Sequence, residues 1–125
     1  MADITELITF LFVADLEVSH DFYSEILGLE LTVDQGDCRI YRVTATAFLG
    51  ICDRSDRVRG DGVIVTLVTD SVDEMHERLV AAGAVVESEP KQSEEYRVRH
   101  AFYRDPDGHL VEVQRFDDRN WASSI

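Results

Sequence analysis

The sequence predicts an α+β fold: two tandem β-α-β-β-β modules forming a curved, mixed eight-stranded sheet with helices outside and an open trough inside. Three observations carry that reading. Residues 8–31 (ITFLFVADLEVSHDFYSEILGLEL) and 63–86 (VIVTLVTDSVDEMHERLVAAGAVV) echo each other at a shift of 55, which sets Val13 on Val68, Asp15 on Asp70 and Gly28 on Gly83. Within each echo an alternating, strand-like run gives way to apolar residues at helical spacing. After each helix come further strand-like runs, broken by short polar turns rather than by a linker.

The first strand runs to Val13, and Asp15 follows as a helix cap whose carboxylate can accept bonds from the free amides of the first turn. Val18, Phe22 and Ile26 then recur every four residues with Leu27 beside them, and Gly28 suits the left-handed position that ends a helix. Strands over Leu29–Val33, Arg39–Val43 and Ala47–Cys52 complete module one, about 6–53. A charged connector, 53–62 (DRSDRVRGDG), leads to module two, about 62–116. There the strand through Val68 meets a cap at Asp70 or Ser71, and Val72, Met75, Leu79 and Ala82 trace a helix that stops at Gly83. Strands over Ala84–Glu87, Tyr96–Arg104 and His109–Arg115 follow, the last two joined by a hairpin turn at Asp105-Pro106-Asp107-Gly108. His20 and His76 sit beside the helical stripes and His109 at the turn, all in positions that suit exposed or flanking side chains. The tail, 117–125, carries Trp121, placed to fold back over an edge or an opening.

A chain of 125 residues is most simply one domain, here 1–125, and is long enough to bury a core without staples. Its 25 acidic residues against 12 basic ones give a net charge of −13, which argues against nucleic acid and anionic membranes as partners. No apolar run approaches the ~20 residues of a membrane helix. Cys38 and Cys52 lack CxxC spacing and read as thiols in a reducing compartment, so the expected location is cytoplasmic.

Two stretches, VADLEVSHDFYSEILGLEL and AFYRDPDGHLVEVQRF, resemble the signatures of the vicinal-oxygen-chelate superfamily. Its members include glyoxalase I, extradiol dioxygenases, fosfomycin-resistance transferases and bleomycin-resistance proteins, and the resemblance spans roughly residues 6–116. It implies a divalent cation on the trough floor of the metal-dependent members, held by ligands from equivalent strands. Carried over residue by residue, the first-strand ligand falls on Ile8 and the fifth-strand ligand on Ile64 (or Val63). The fourth-strand position falls near Gly50, and the eighth-strand one on Glu112. Aliphatic side chains cannot coordinate, and one carboxylate does not retain a catalytic ion, so no metal and no other cofactor is expected. The resemblance also implies a homodimer, for which exposed sheet edges give a physical reason.

Without the metal, the trough floor reads as largely apolar: Ile8, Phe10 and Phe12 alternate onto one face of the first strand, Ile64 and Thr66 onto one face of the fifth. Those side chains either fill the interior or line a site for a small, partly apolar molecule. The seventh strand has two readings. Pairing across a four-residue turn puts Arg99, Ala101 and Tyr103 on the Glu112 face. Alternation of polarity puts His100 and Phe102 there instead, as do the matching positions in the fosfomycin enzymes, and a bulge at the turn would reconcile the two. With His100 inward, His100 and Glu112 form either a proton-transfer pair or two polar groups that merely satisfy each other. The resulting expectation is a binding protein of the bleomycin-resistance kind, without lactoylglutathione chemistry. The alternative is a divergent enzyme of the superfamily (lyase, isomerase or dioxygenase type), metal-dependent or using His100 and Glu112 for acid–base chemistry.

Overall fold

The computed structural model describes residues 3–123, which separate into two compact units, 1–59 and 60–125. Each unit is one module with its own four-stranded mixed sheet. In the first, β1 (Leu7–Val13), β2 (Glu30–Asp34), β3 (Cys38–Arg42) and β4 (Ala47–Asp53) lie in the order β1-β4-β3-β2, with β1 parallel to β4. In the second, β5 (Ile64–Val68), β6 (Val85–Ser93), β7 (Val98–Arg104) and β8 (Leu110–Phe116) lie in the order β5-β8-β7-β6, with β5 parallel to β8. The two ladders are built alike, with β1 and β5 matched one residue off the sequence echo, so that Leu11 rather than Phe12 corresponds to Leu67. Gly50 corresponds to Glu112, Phe10 to Thr66, Cys38 to His100, Cys52 to Gln114 and Tyr41 to Tyr103.

In module one, Asp15 caps α1 (Leu16–His20) by accepting from the amides of Glu17 and Val18. The helix then widens into a π-helical segment, Asp21–Ile26, where Leu27 N donates to Phe22 O. The extra residue in that turn buries Phe22 and Tyr23 together, with Ser19 and Leu27, so the expected stripe shifts and Val18 is left exposed. These side chains meet the buried face of the sheet, where Leu11, Val13, Tyr41, Leu49 and Ile51 are buried. Each such side chain removed from water contributes about 1.5–3 kcal/mol.

In module two, α2 (Val72–Ala81) packs on β6, β7 and β8 through Val72 and Leu79, while Ala82 is exposed. The expected cap bond is missing: Ser71 makes no side-chain cap, its own amide donating instead to Thr69 Oγ1, and Asp70 pairs with Arg119. A bidentate pair, Arg99 to Asp73 at 2.8 and 2.7 Å, ties the first turn of α2 to β7 and holds the Asp73 carboxyl below its ordinary value. Gly28 and Gly83 do take left-handed conformations, φ 77° and 94°, just past the helical segments. Strand β6 runs well beyond the expected Glu87; as an edge strand with register shifts between Val86 and Lys91 it accommodates Pro90.

Three expectations about polar side chains are corrected. Cys38 and Cys52 are not thiols but a disulfide, with Cα atoms 4.2 Å apart. The reason is register: β3 and β4 form a hairpin in which the two residues stand directly opposite each other. The expected strands Arg39–Val43 and Ala47–Cys52 pair about Ala45, and extending the first by one residue sets Cys38 opposite Cys52. The bond also removes the thiol argument for a reducing compartment; no helix is long and apolar enough to cross a membrane.

His20 and His76 are partly buried and engaged, not free flanking groups. His20 Nδ1 bonds the Tyr41 hydroxyl at 2.7 Å and His76 Nδ1 the Tyr103 hydroxyl at 2.6 Å, so both modules use the same clip between helix and third strand. In module two Nε2 of His76 also meets Glu89 at 2.7 Å. His109 is 5% exposed, because the turn before β8 folds it inward.

Two predictions follow from these contacts. A disulfide closing a hairpin of this length is worth roughly 3 kcal/mol in the loop-entropy account. Cys38→Ala/Cys52→Ala should therefore unfold at lower urea concentration than wild type, and dithiothreitol should lower the wild-type midpoint while leaving the variant unmoved. Burial pushes the Tyr41 and Tyr103 hydroxyls up to about 12 from 10.0. The unfolded chain releases those protons near pH ~10 while the folded chain keeps them, so their contribution is intact below that pH and is lost as pH rises towards about 12. In a phenolate absorbance titration Tyr41 and Tyr103 should ionise only together with alkaline unfolding; Tyr103→Phe should remove one phenol from that late step.

Candidate functional site

The carboxylate of Glu112 lies between Val111 and Val113, both fully buried against the helix side of the sheet, and so points to the opposite face. On that face β5 supplies Thr66 and β7 supplies Phe102 and His100, because Glu112 stands opposite Thr66 in one ladder and Phe102 in the other. The register comes from the turn. Arg104 pairs with Leu110, so the loop spans the five residues Asp105 to His109 rather than four, and the ladder needs no bulge. One added loop residue turns His100 and Phe102 to the Glu112 face and sends Ala101 and Tyr103 into the core.

Both carboxylate oxygens are engaged. Thr66 Oγ1 donates to Oε1 at 2.9 Å, and His100 Nδ1 lies 2.6 Å from Oε2. An ionised carboxylate only accepts, so Nδ1 carries the proton, and in the neutral form of the ring Nε2 is left with a lone pair. His100 and Glu112 are both buried, 9% and 8% exposed. A charged group so placed costs several kcal/mol unless it is fully bonded, which is what the two donors achieve.

The open edge of His100 meets a cavity of about 430 Å³ within module two. Its walls are Tyr96, Val98, Phe102 and Phe116, and Ile64, Glu112 and Gln114 complete the lining with His100. Phe102 stands edge-on to His100, ring centroids 4.8 Å apart. Behind Phe116 the tail folds back, and Trp121 stacks on its ring at 4.2 Å and 23°. Tyr96 is held at the tip of the β6–β7 turn, next to Arg97, whose φ of 56° is unusual for a residue with a side chain. Sequence reading missed Tyr96, Val98, Gln114 and Phe116; alternation along β8 from Glu112 to Phe116, and along β7 from Phe102 back to Val98, was the signal available for three of them.

Module one is built differently at the matching positions. Phe10 lies over Gly50, where an added Cβ would run into its ring, and the disulfide takes the places of His100 and Gln114. Ile8 and Phe10 are each 43% exposed, Phe12 38% and Ile64 52%. Of the positions that would hold the superfamily metal, Ile8 and Ile64 are aliphatic, Gly50 has no side chain, and Glu112 is committed to protein donors. The residues do not fit the ion.

Among the described residues a different group brings donor atoms together: Asp105, Asp107 and His109, all within 4.8 Å of one another. Two carboxylates and an imidazole are ligand types for a divalent ion. Asp105 Oδ1, however, accepts from the amides of Asp107 at 2.9 Å and His109 at 2.7 Å, which closes the loop on itself.

Comparison with known proteins agrees with the fold. A curated relative, a probable lactoylglutathione lyase of Vibrio cholerae serotype O1, is 29% identical over 120 residues, covering 84% of this chain and 86% of its own length. Among solved structures, TnmS3, an antibiotic binding protein from Streptomyces sp. CB03234, is 28% identical with a TM-score of 0.73, over 92% of this chain and 98% of that one. A glyoxalase/bleomycin resistance protein/dioxygenase from Nocardioides superposes with a TM-score of 0.78 at 21% identity, over 95% of this chain and 87% of that one. Residues 5–113 match the family described as Glyoxalase/Bleomycin resistance protein/Dioxygenase superfamily, and the chain belongs to it.

Proposed function

We propose that the protein binds a small, partly apolar molecule in the module-two cavity and does so without the divalent ion typical of the superfamily. The observation that carries this reading is the cavity itself: about 430 Å³, walled by aromatic side chains around one fixed polar pole, His100 on Glu112. Pockets of roughly 300–1,000 Å³ with apolar walls and a few oriented polar groups are the usual form of a small-molecule site. The relative described as an antibiotic binding protein supports the same reading. The outer edges of β1, β2, β5 and β6, unpaired among the described residues, support a homodimer.

A second reading has its own observation. The 2.6 Å contact between His100 and Glu112, in a cavity large enough for a substrate, is the arrangement a metal-free acid–base catalyst needs. There Glu112 would orient the ring and Nε2 would take the proton.

Metal stoichiometry tests the metal-free claim. After incubation with Zn²⁺, Ni²⁺, Mn²⁺ or Fe²⁺ and desalting, wild type and Glu112→Ala should both hold far less than one ion per chain. Neither Zn²⁺ nor Ni²⁺ should support turnover of the methylglyoxal–glutathione adduct. One ion per chain, lost in Glu112→Ala, would contradict the claim; one ion lost only in His109→Ala would move the metal to the loop before β8.

A further inference from the structure

Resting on the reading of the cavity as a ligand site, we propose that its ligand is a flat aromatic molecule carrying a phenolic hydroxyl. That hydroxyl bonds His100 Nε2 and the Gln114 amide, and the ring system lies against Phe102 and Phe116.

The polar end of the cavity selects the hydroxyl. Glu112 fixes the proton of His100 on Nδ1, so Nε2 presents a lone pair to the cavity and calls for a donor from the ligand. Gln114 stands directly opposite His100 in the β7–β8 ladder, on the same face, and also lines the cavity. Its amide can donate to the oxygen whose proton goes to Nε2. One hydroxyl, donor and acceptor at a single atom, satisfies both groups.

Other head groups fit less well. A carboxylate has no proton for Nε2 and would enter a cavity that Glu112 itself lines, charge against charge. An ammonium finds no free anion, because Glu112 already has donors on both oxygens. A phenol is the more acidic kind of hydroxyl and therefore the stronger donor to a neutral imidazole.

The walls select the ring. Phe102 is braced edge-on by His100, and Phe116 is backed by Trp121 in a stacked pair, so two aromatic surfaces are held in place before any ligand arrives. Tyr96 adds a third at the rim. Offset or edge-on aromatic contacts add about 0.5–1.5 kcal/mol each beyond the area they bury. A cavity of about 430 Å³ accepts a fused two- or three-ring system.

The test is calorimetric titration of the full chain with naphthol, with its methyl ether, and with naphthoate. The ether keeps ring and oxygen but loses the proton. Naphthol should bind at one site per chain, about ten-fold or more tighter than the ether, as expected for one lost hydrogen bond. Gln114→Leu, which leaves the His100–Glu112 pair intact, should weaken naphthol and ether alike, because both keep the oxygen that accepts from its amide, and ring signals of Phe116 should shift on binding. Equal binding of naphthol and ether with the same Phe116 shifts would overturn the phenol proposal while leaving the cavity a ligand site. Tighter binding of naphthoate would likewise overturn it. No binding by any of the three, with His100 and Phe116 signals unmoved, would overturn the proposal and the ligand-site reading together.

Discussion

Glu112 can remain charged between two core valines only while both of its oxygens are bonded, and much of module two follows from that requirement. Removing a carboxylate from water costs several kcal/mol unless donors replace the lost solvent. The donors come from both neighbouring strands, Thr66 on β5 and His100 on β7, so the pairings on either side of β8 are fixed at one residue. A slip of a single position in β7 would bring Ala101 to the place of His100 and push polar side chains into the core under α2. What remains open is Nε2 of His100, and that gives the cavity its polarity.

The two modules show how one ladder geometry can be filled in opposite ways. At the matching sites module one has a glycine with a phenylalanine ring laid over it and a disulfide between strands β3 and β4. Module two has the acid–imidazole pair and a cavity. The helix-to-strand clip, by contrast, is kept in both, as His20 with Tyr41 and His76 with Tyr103. Because Glu89 is an acceptor, Nε2 of His76 carries its proton and Nδ1 is free to accept from the buried Tyr103 hydroxyl. The scaffolding features repeat; the open faces differ. Packing of the helices is common to both halves, while the cavity lies in the second.

What was legible in the sequence was whatever depends on near neighbours. Alternation and helical spacing gave all eight strands and both helices, and Asp15, Gly28 and Gly83 marked helix ends correctly because capping is local chemistry. Features that depend on register were harder. Reading the loop as Asp105–Gly108 rather than Asp105–His109 changes which face of β7 meets Glu112, and polarity and the family resemblance pointed the right way where the pairing did not. The disulfide needed the β3–β4 pairing, which the hairpin centred on Ala45 implied but composition argued against. His109, His20 and His76 are polar residues buried by partners distant in sequence or by a folded turn, and no periodicity reveals such partners. At the site, Phe102, His100 and Glu112 were found from alternation, whereas Tyr96 owes its place to a strained turn that the sequence does not announce.

The most direct measurement is the tautomer of His100, read by ¹⁵N imidazole NMR on the ligand-free protein at neutral to mildly alkaline pH, with His100→Gln to assign the signals. The expected result is a proton on Nδ1, held by Glu112, and an unprotonated Nε2 facing the cavity. A neutral ring protonated on Nε2 would contradict it, for it would mean that Glu112 does not hold the ring and that the polar pole of the cavity is not the one described.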